Sequence, residues 1–175
     1  MPDQSTVEHV NATLTVAASA TSVFAILADP TTHAAIDGTG WVQQALDPAP
    51  LTEPDQIFRM NMYHANHPDG AYRTINRVEL FDAPQIISWL PGYEKDDGQL
   101  DFGGWSWRYD LVPHDPATTE VTLTYDWSAV PQPIREYLRF PPFSPGHLTA
   151  SLHHLAELAT RPPQPSTSGR PALPR

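Results

Sequence analysis

The stretch Gly104-Trp-Ser-Trp-Arg-Tyr-Asp-Leu-Val112 decides how this chain is read. Its rings, Trp105, Trp107 and Tyr109, recur at every second residue, and a period of two places side chains on one face of a β-strand. Leu111 continues that face, while Arg108 and Asp110 turn to water. The segment Glu120 to Ser128 repeats the pattern with Val121, Leu123, Tyr125 and Trp127. Two neighbouring strands that offer rings to one side make either a thick core or the wall of a cavity. The pattern alone leaves both open.

Working outward from there, Val7 to Val16 alternates and is rich in Val and Thr, as a first strand is. Ser19 is a fitting N-cap for a helix whose Val23, Phe24, Ile26 and Leu27 form an apolar stripe. Pro30 opens a second short helix to about Ile36, and Asp37-Gly-Thr-Gly40 ends it in a turn. Further strands follow: Trp41 to Leu46, Ile57 to His64, Tyr72 to Phe81, Gln85 to Leu90 and Phe102 to Val112. Gly92 to Gly98 reads as an acidic turn region. Ser144 and Pro145 have the chemistry of a helix start, and Leu148, Leu152, Leu155 and Ala159 stripe one face of that last helix to about Thr160. Consecutive strands without intervening helices pair antiparallel. A long antiparallel sheet curls, and the final helix is the apolar element left to cover its concave face. No repeat and no domain boundary is evident inside residues 1–160, so these read as one α+β domain.

This order of elements resembles the helix-grip fold of the START-like or SRPBCC superfamily, and in particular its polyketide cyclase/dehydrase-like members. The residues that carry the resemblance are Val16-Ala-Ala-Ser-Ala-Thr-Ser-Val-Phe-Ala-Ile-Leu-Ala-Asp-Pro30, Thr32-His33 and Asp37-Gly-Thr-Gly40. Asn76-Arg-Val78, Ile87-Ser-Trp89, the Gly104–Tyr109 strand and Thr119–Tyr125 complete it. The resemblance implies a curved antiparallel sheet wrapped around a long C-terminal helix, with two short helices after the first strand. It also implies an apolar cavity under that helix. Superfamily members cyclise or dehydrate polyketides, carry lipids, or only bind and sense. They share no catalytic signature, so no catalytic residue is transferred and whether the chain is an enzyme stays open. Activators of the Hsp90 ATPase have C-terminal domains of the same fold, which gives an interaction module as a further reading.

Composition narrows the classes. The formal net charge is −10, and the last fifteen residues hold three arginines and no carboxylate, so the rest is more acidic still. A body of that sign is repelled by nucleic-acid phosphates and by anionic membranes. The chain has no cysteine, which excludes disulfides and thiolate metal sites. The start of the chain lacks the pattern of a signal peptide, no stretch is long and apolar enough to span a bilayer, and a cytoplasmic location is the expectation. Residues 161–175, RPPQPSTSGRPALPR, are expected to be a disordered, proline-rich tail.

Four groups of residues bear chemistry. The first lines the inward face: Met60, Met62, His64, Trp89, Trp107, Tyr109, Tyr125 and Trp127, an apolar wall with a few polar tips. Tyr72, Thr74 and Asn76 form the second, a polar stripe inward on their strand if Val78 and Leu80 are inward. Tyr72 and Asn76 join the candidate ligand-binding set. Third, His33 and Asp37 at i and i+4 meet on one helical face, as an acid–base pair or as a turn device. Fourth are the eight histidines, in which no set converges as metal ligands, and His147 and His154 fall on the side of the last helix away from its leucines. No phosphate-binding loop or nucleophile elbow is present, so no cofactor is implied. The expected partner is a hydrophobic small molecule, not nucleic acid or a membrane, and the chain is compatible with a homodimer.

Overall fold

The computed structural model describes residues 6–161. The proline-rich stretch expected to be disordered lies outside the described residues from 162 onward. The chain runs β1 (His9–Val16), α1 (Ala20–Leu27), a 3₁₀ turn at Pro30–Thr32, and α2 (His33–Asp37). Then come β2 (Val42–Ala45), β3 (Ile57–Tyr63), β4 (Ala71–Asp82), β5 (Ile86–Glu94), β6 (Leu100–Phe102), β7 (Ser106–Asp115) and β8 (Thr118–Asp126). A single-turn α3 (Gln132–Arg135) precedes the long α4 (His147–Thr160).

The strands form one antiparallel sheet in the order β1-β8-β7-β5-β4-β3-β2. β5 pairs with β7 through Ile86–Trp89 and with β6 through Gly92–Glu94. β6 and β7 are therefore one strand line interrupted at Gly103-Gly104. The sequence predicts an unbroken strand over Phe102–Val112. Gly104 explains the break, since its φ is +99° and an added Cβ would meet the Ala129 carbonyl. Gly92 to Glu94 likewise extends β5, so the expected acidic turn shrinks to the Lys95–Gly98 connection.

Ser19 caps α1 as expected, accepting from the Ser22 amide at 3.1 Å. α4 starts at His147, after Gly146 with φ +93°, and has no side-chain cap, so Ser144 and Pro145 precede the helix rather than open it. Its Leu148, Leu152 and Leu155 are buried in the core with Val23, Phe24 and Leu27 of α1 and the inner residues of β7 and β8. Full burial of a leucine side chain stabilises by about 1.5–3 kcal/mol, so this stripe is the main clamp between helix and sheet. α4 touches β1 on one flank and α2 and α1 on the other. The architecture is the α+β helix-grip fold: a strongly curled antiparallel sheet closed around the C-terminal helix. No helix among the described residues is long and apolar enough to cross a membrane.

On β4, Val78 is fully buried but Leu80 is 40% exposed, contrary to the expectation that both face inward. The register shifts between Val78 and Leu80, where Glu79 is the extra residue of a bulge. One added residue reverses the alternation beyond it, so Phe81 rather than Leu80 packs inward, edge-on to Phe24.

Candidate functional site

β7 and β8 place Trp107, Tyr109, Leu123 and Tyr125 along the concave face, as alternation requires. Their polar neighbours Arg108 and Asp110 pair with each other at 2.8 Å on the other side. From β3 come Phe58, Met60 and Met62, from β4 Tyr72, Thr74 and Asn76, and from β5 Trp89. α2 contributes His33, Ile36 and Asp37, and α4 contributes His147 and Ser151. Together these enclose a cavity of ≈ 510 Å³ between the sheet and α4. Tyr137 and Leu138, 86% and 46% exposed, border its opening with the loop that carries His64, Asn66 and His67.

Nine of the ten candidate residues line this cavity: Met60, Met62, His64, Tyr72, Asn76, Trp89, Trp107, Tyr109 and Tyr125. Trp127 does not. It is buried and inward, but Phe140 stacks on it at 6.3 Å between centroids and closes it off. His64 sits at the opening, edge-on to Trp41. Trp41, expected on a strand, precedes β2, while Tyr137, Leu138 and Phe140 lie on an irregular segment where no period marks a face, so their contribution is not legible in the sequence. The available signal was the presence of large apolar residues in the proline-bounded stretch 137–143.

Several polar groups are already committed. Asn76 Nδ2 donates to the Phe58 carbonyl at 3.3 Å, and the Trp41 indole N–H donates to the Tyr72 hydroxyl. The Tyr72 ring stacks on His67 at 4.3 Å. His33 Nε2 bonds the Leu27 carbonyl at 2.9 Å, and burial holds its imidazole below the usual range. His33 and Asp37 make no hydrogen bond to each other. Asp37 instead uses Oδ2 to accept from the Thr39 amide at 3.1 Å and the Thr39 hydroxyl at 2.6 Å.

Other groups are uncommitted. The hydroxyls of Tyr109 and Tyr125 have no hydrogen-bond partner among the described residues, yet no buried side-chain polar atom there is left unpartnered. Both hydroxyls therefore open onto the cavity. Burial pushes both phenols well above their ordinary range, with Asp37 adding to the rise at Tyr109. His147, expected on the outer side of α4, faces inward: its Nε2 lies 3.8 Å from Asp37 Oδ1, and both side chains are nearly buried. His154 also turns in, bonding the Ile36 carbonyl through Nδ1 at 2.9 Å. These two histidines and Ser151 form a second stripe beside the leucines, directed at α2. No cluster of three potential metal ligands occurs among the described residues.

No family model matches the chain. The uncharacterized protein Rv0088 of Mycobacterium tuberculosis is 31% identical over 122 residues, which are 69% of this chain and 48% of that protein. The chain thus matches about half the length of that curated relative. Among solved structures, Ms6760 from Mycobacterium smegmatis superposes with a TM-score of 0.60 at 19% identity, covering 86% of this chain and 90% of that one. The Zhui aromatase/cyclase from Streptomyces sp. R1128 gives 0.57 at 20% identity, covering 87% and 93%. Truncated norcoclaurine synthase from Thalictrum flavum gives 0.59 at 15%, covering 89% and 94%. With its curled sheet gripping α4 and these structural neighbours, the chain has the START-like, SRPBCC-type fold.

Proposed function

We propose that this protein binds a hydrophobic, ring-bearing small molecule in the cavity beneath α4. One observation carries the reading: a ≈ 510 Å³ space walled by Trp89, Trp107, Tyr109 and Tyr125, with two tyrosine hydroxyls open to it. That size falls in the range of small-molecule sites, and apolar walls with a few convergent polar groups are their usual composition. An interaction module working only through its outer surface would need no such space. Action as a cyclase or dehydratase on a polyketide-like chain is the more specific form of the same proposal. In that form the cavity folds a flexible substrate, and Tyr109 or Tyr125 donates a hydrogen bond to the oxygen of a developing enolate.

The test uses N-phenyl-1-naphthylamine, a neutral dye whose emission rises in apolar surroundings. The full chain should enhance its fluorescence saturably. Thr74→Trp, which fills the middle of the cavity from β4, should abolish the enhancement while the circular dichroism spectrum is kept. Enhancement that survives Thr74→Trp would place the dye elsewhere and remove the proposal.

A further inference from the structure

We infer that Asp37 and His147 are the polar anchor of this cavity and hold the hydroxyl group of a phenol-like ligand between them. This rests on the binding reading above and names the ligand class. Asp37 commits one oxygen to the Thr39 turn, where Oδ2 also accepts from the Val42 amide at 3.4 Å. Oδ1 accepts no hydrogen bond among the described residues and, since no buried atom there is unpartnered, it is open to the cavity. Its 3.8 Å separation from His147 Nε2 is too long for a direct hydrogen bond. One oxygen atom about 2.8 Å from each would bridge the two, with an angle of roughly 85° at that oxygen.

The chemistry of the two groups selects the bridging atom. A carboxylate oxygen only accepts, and the imidazole nitrogen that faces a carboxylate carries its proton toward it. The bridging atom must therefore donate to Oδ1 and accept from Nε2–H. A hydroxyl does both, whereas an ammonium has no lone pair to accept with. The surroundings select the rest of the ligand. Trp107, which lines the cavity, lies 6.2 Å from the His147 ring, so the group attached to the hydroxyl meets an aromatic face.

The experiment is displacement of N-phenyl-1-naphthylamine by 2-naphthol, naphthalene and 2-naphthylmethylammonium. Without a polar anchor, the more hydrophobic naphthalene binds at least as well as the naphthol. With the anchor, 2-naphthol should bind about tenfold more tightly than naphthalene, the ratio expected for one hydrogen bond to a charged group. Asp37→Asn and His147→Phe should each bring that ratio close to one. His147→Phe replaces one ring by another beside Phe143 and carries the test by itself if Asp37→Asn does not fold. Equal affinities for naphthol and naphthalene in the wild-type protein would overturn the anchor and leave the cavity reading standing. A preference that survives both variants, or tighter binding of the ammonium than of the naphthol, would overturn it too. Failure of the dye to bind at all would remove both.

Discussion

The imidazole of His33 lies flat on the indole of Trp89, with ring centroids 5.0 Å apart and planes 16° apart. Phe58 meets the same imidazole edge-on at 5.6 Å, and Nε2 is tied to the Leu27 carbonyl. Burial outweighs both that carbonyl and the carboxylate of Asp29, so the imidazole takes up its proton only below its ordinary value. The unfolded chain binds the proton near the ordinary value of 6.5, and the folded chain binds it only at lower pH. Stability is then fully present above pH 6.5 and is lost as pH falls, by at most about 1.4 kcal/mol per pH unit for one proton. His147 shifts in the same direction, through burial opposed by Asp37 and assisted by His154. Urea midpoints measured from pH 7.5 to 5.5 should fall, and His33→Gln, which can still donate to the Leu27 carbonyl, should flatten the slope. A midpoint that does not move with pH would contradict this assignment.

α4 and the rim of the cavity should respond oppositely to truncation. Leu152 is fully buried at the centre of the helix stripe, whereas Leu138 is 46% exposed at the opening. Leu152→Ala removes buried methyl groups and leaves a void, which costs about 2–5 kcal/mol. Leu138→Ala should change stability by less than about 0.5 kcal/mol and show its effect in dye affinity instead. Chemical denaturation of the two variants, alongside dye titration, separates clamp from rim.

Gly38 couples the α2 turn to α4. Its φ is +68°, and an added Cβ would strike the His154 ring. Gly38→Ala should therefore lower stability by more than about 1 kcal/mol, through both the left-handed backbone and the displaced imidazole. Because His154 also bonds the Ile36 carbonyl, the change should propagate to α2. Amide chemical shifts of residues 33–39 report it directly.

Alternation made the wall legible. Trp107, Tyr109 and Tyr125 sit where a period of two puts them, because a strand paired on both sides has only two faces. The same rule failed at Leu80, where the Glu79 bulge reversed the phase, and bulges leave no mark in a hydrophobic pattern. It also placed Trp127 on the correct face without showing that Phe140 would cover it, since the path of residues 131–146 follows from packing and not from periodicity. His147 was misplaced for a different reason. A leucine stripe marks the most buried side of a helix, but α4 is held between the sheet and α2, so its polar flank is enclosed as well.

The segment that roofs the cavity is pinned by one side chain. Arg135 donates through Nε to the Val130 carbonyl at 2.9 Å and through Nη2 to the Trp127 and Ser128 carbonyls at 2.9 and 3.2 Å. Its Nη1 reaches Glu8 Oε1 at 2.8 Å, so the guanidinium joins the exit of β8 to the residue before β1. The Trp127 carbonyl also accepts from the Val130 amide at 3.0 Å, whereas the Val130 and Ser128 carbonyls have Arg135 as their donor among the described residues. Arg135→Ala should destabilise by about 1–3 kcal/mol, most of it from the Val130 carbonyl left unpaired on a buried residue rather than from the ion pair. Glu8→Gln, which keeps an acceptor at the same place, should cost less than about 1 kcal/mol. Arg135→Lys should recover little, because a single ammonium on a flexible stem cannot span three carbonyls fixed in a fork. Denaturation midpoints of the three variants test the order. If lysine restores full stability, charge rather than geometry holds the roof in place.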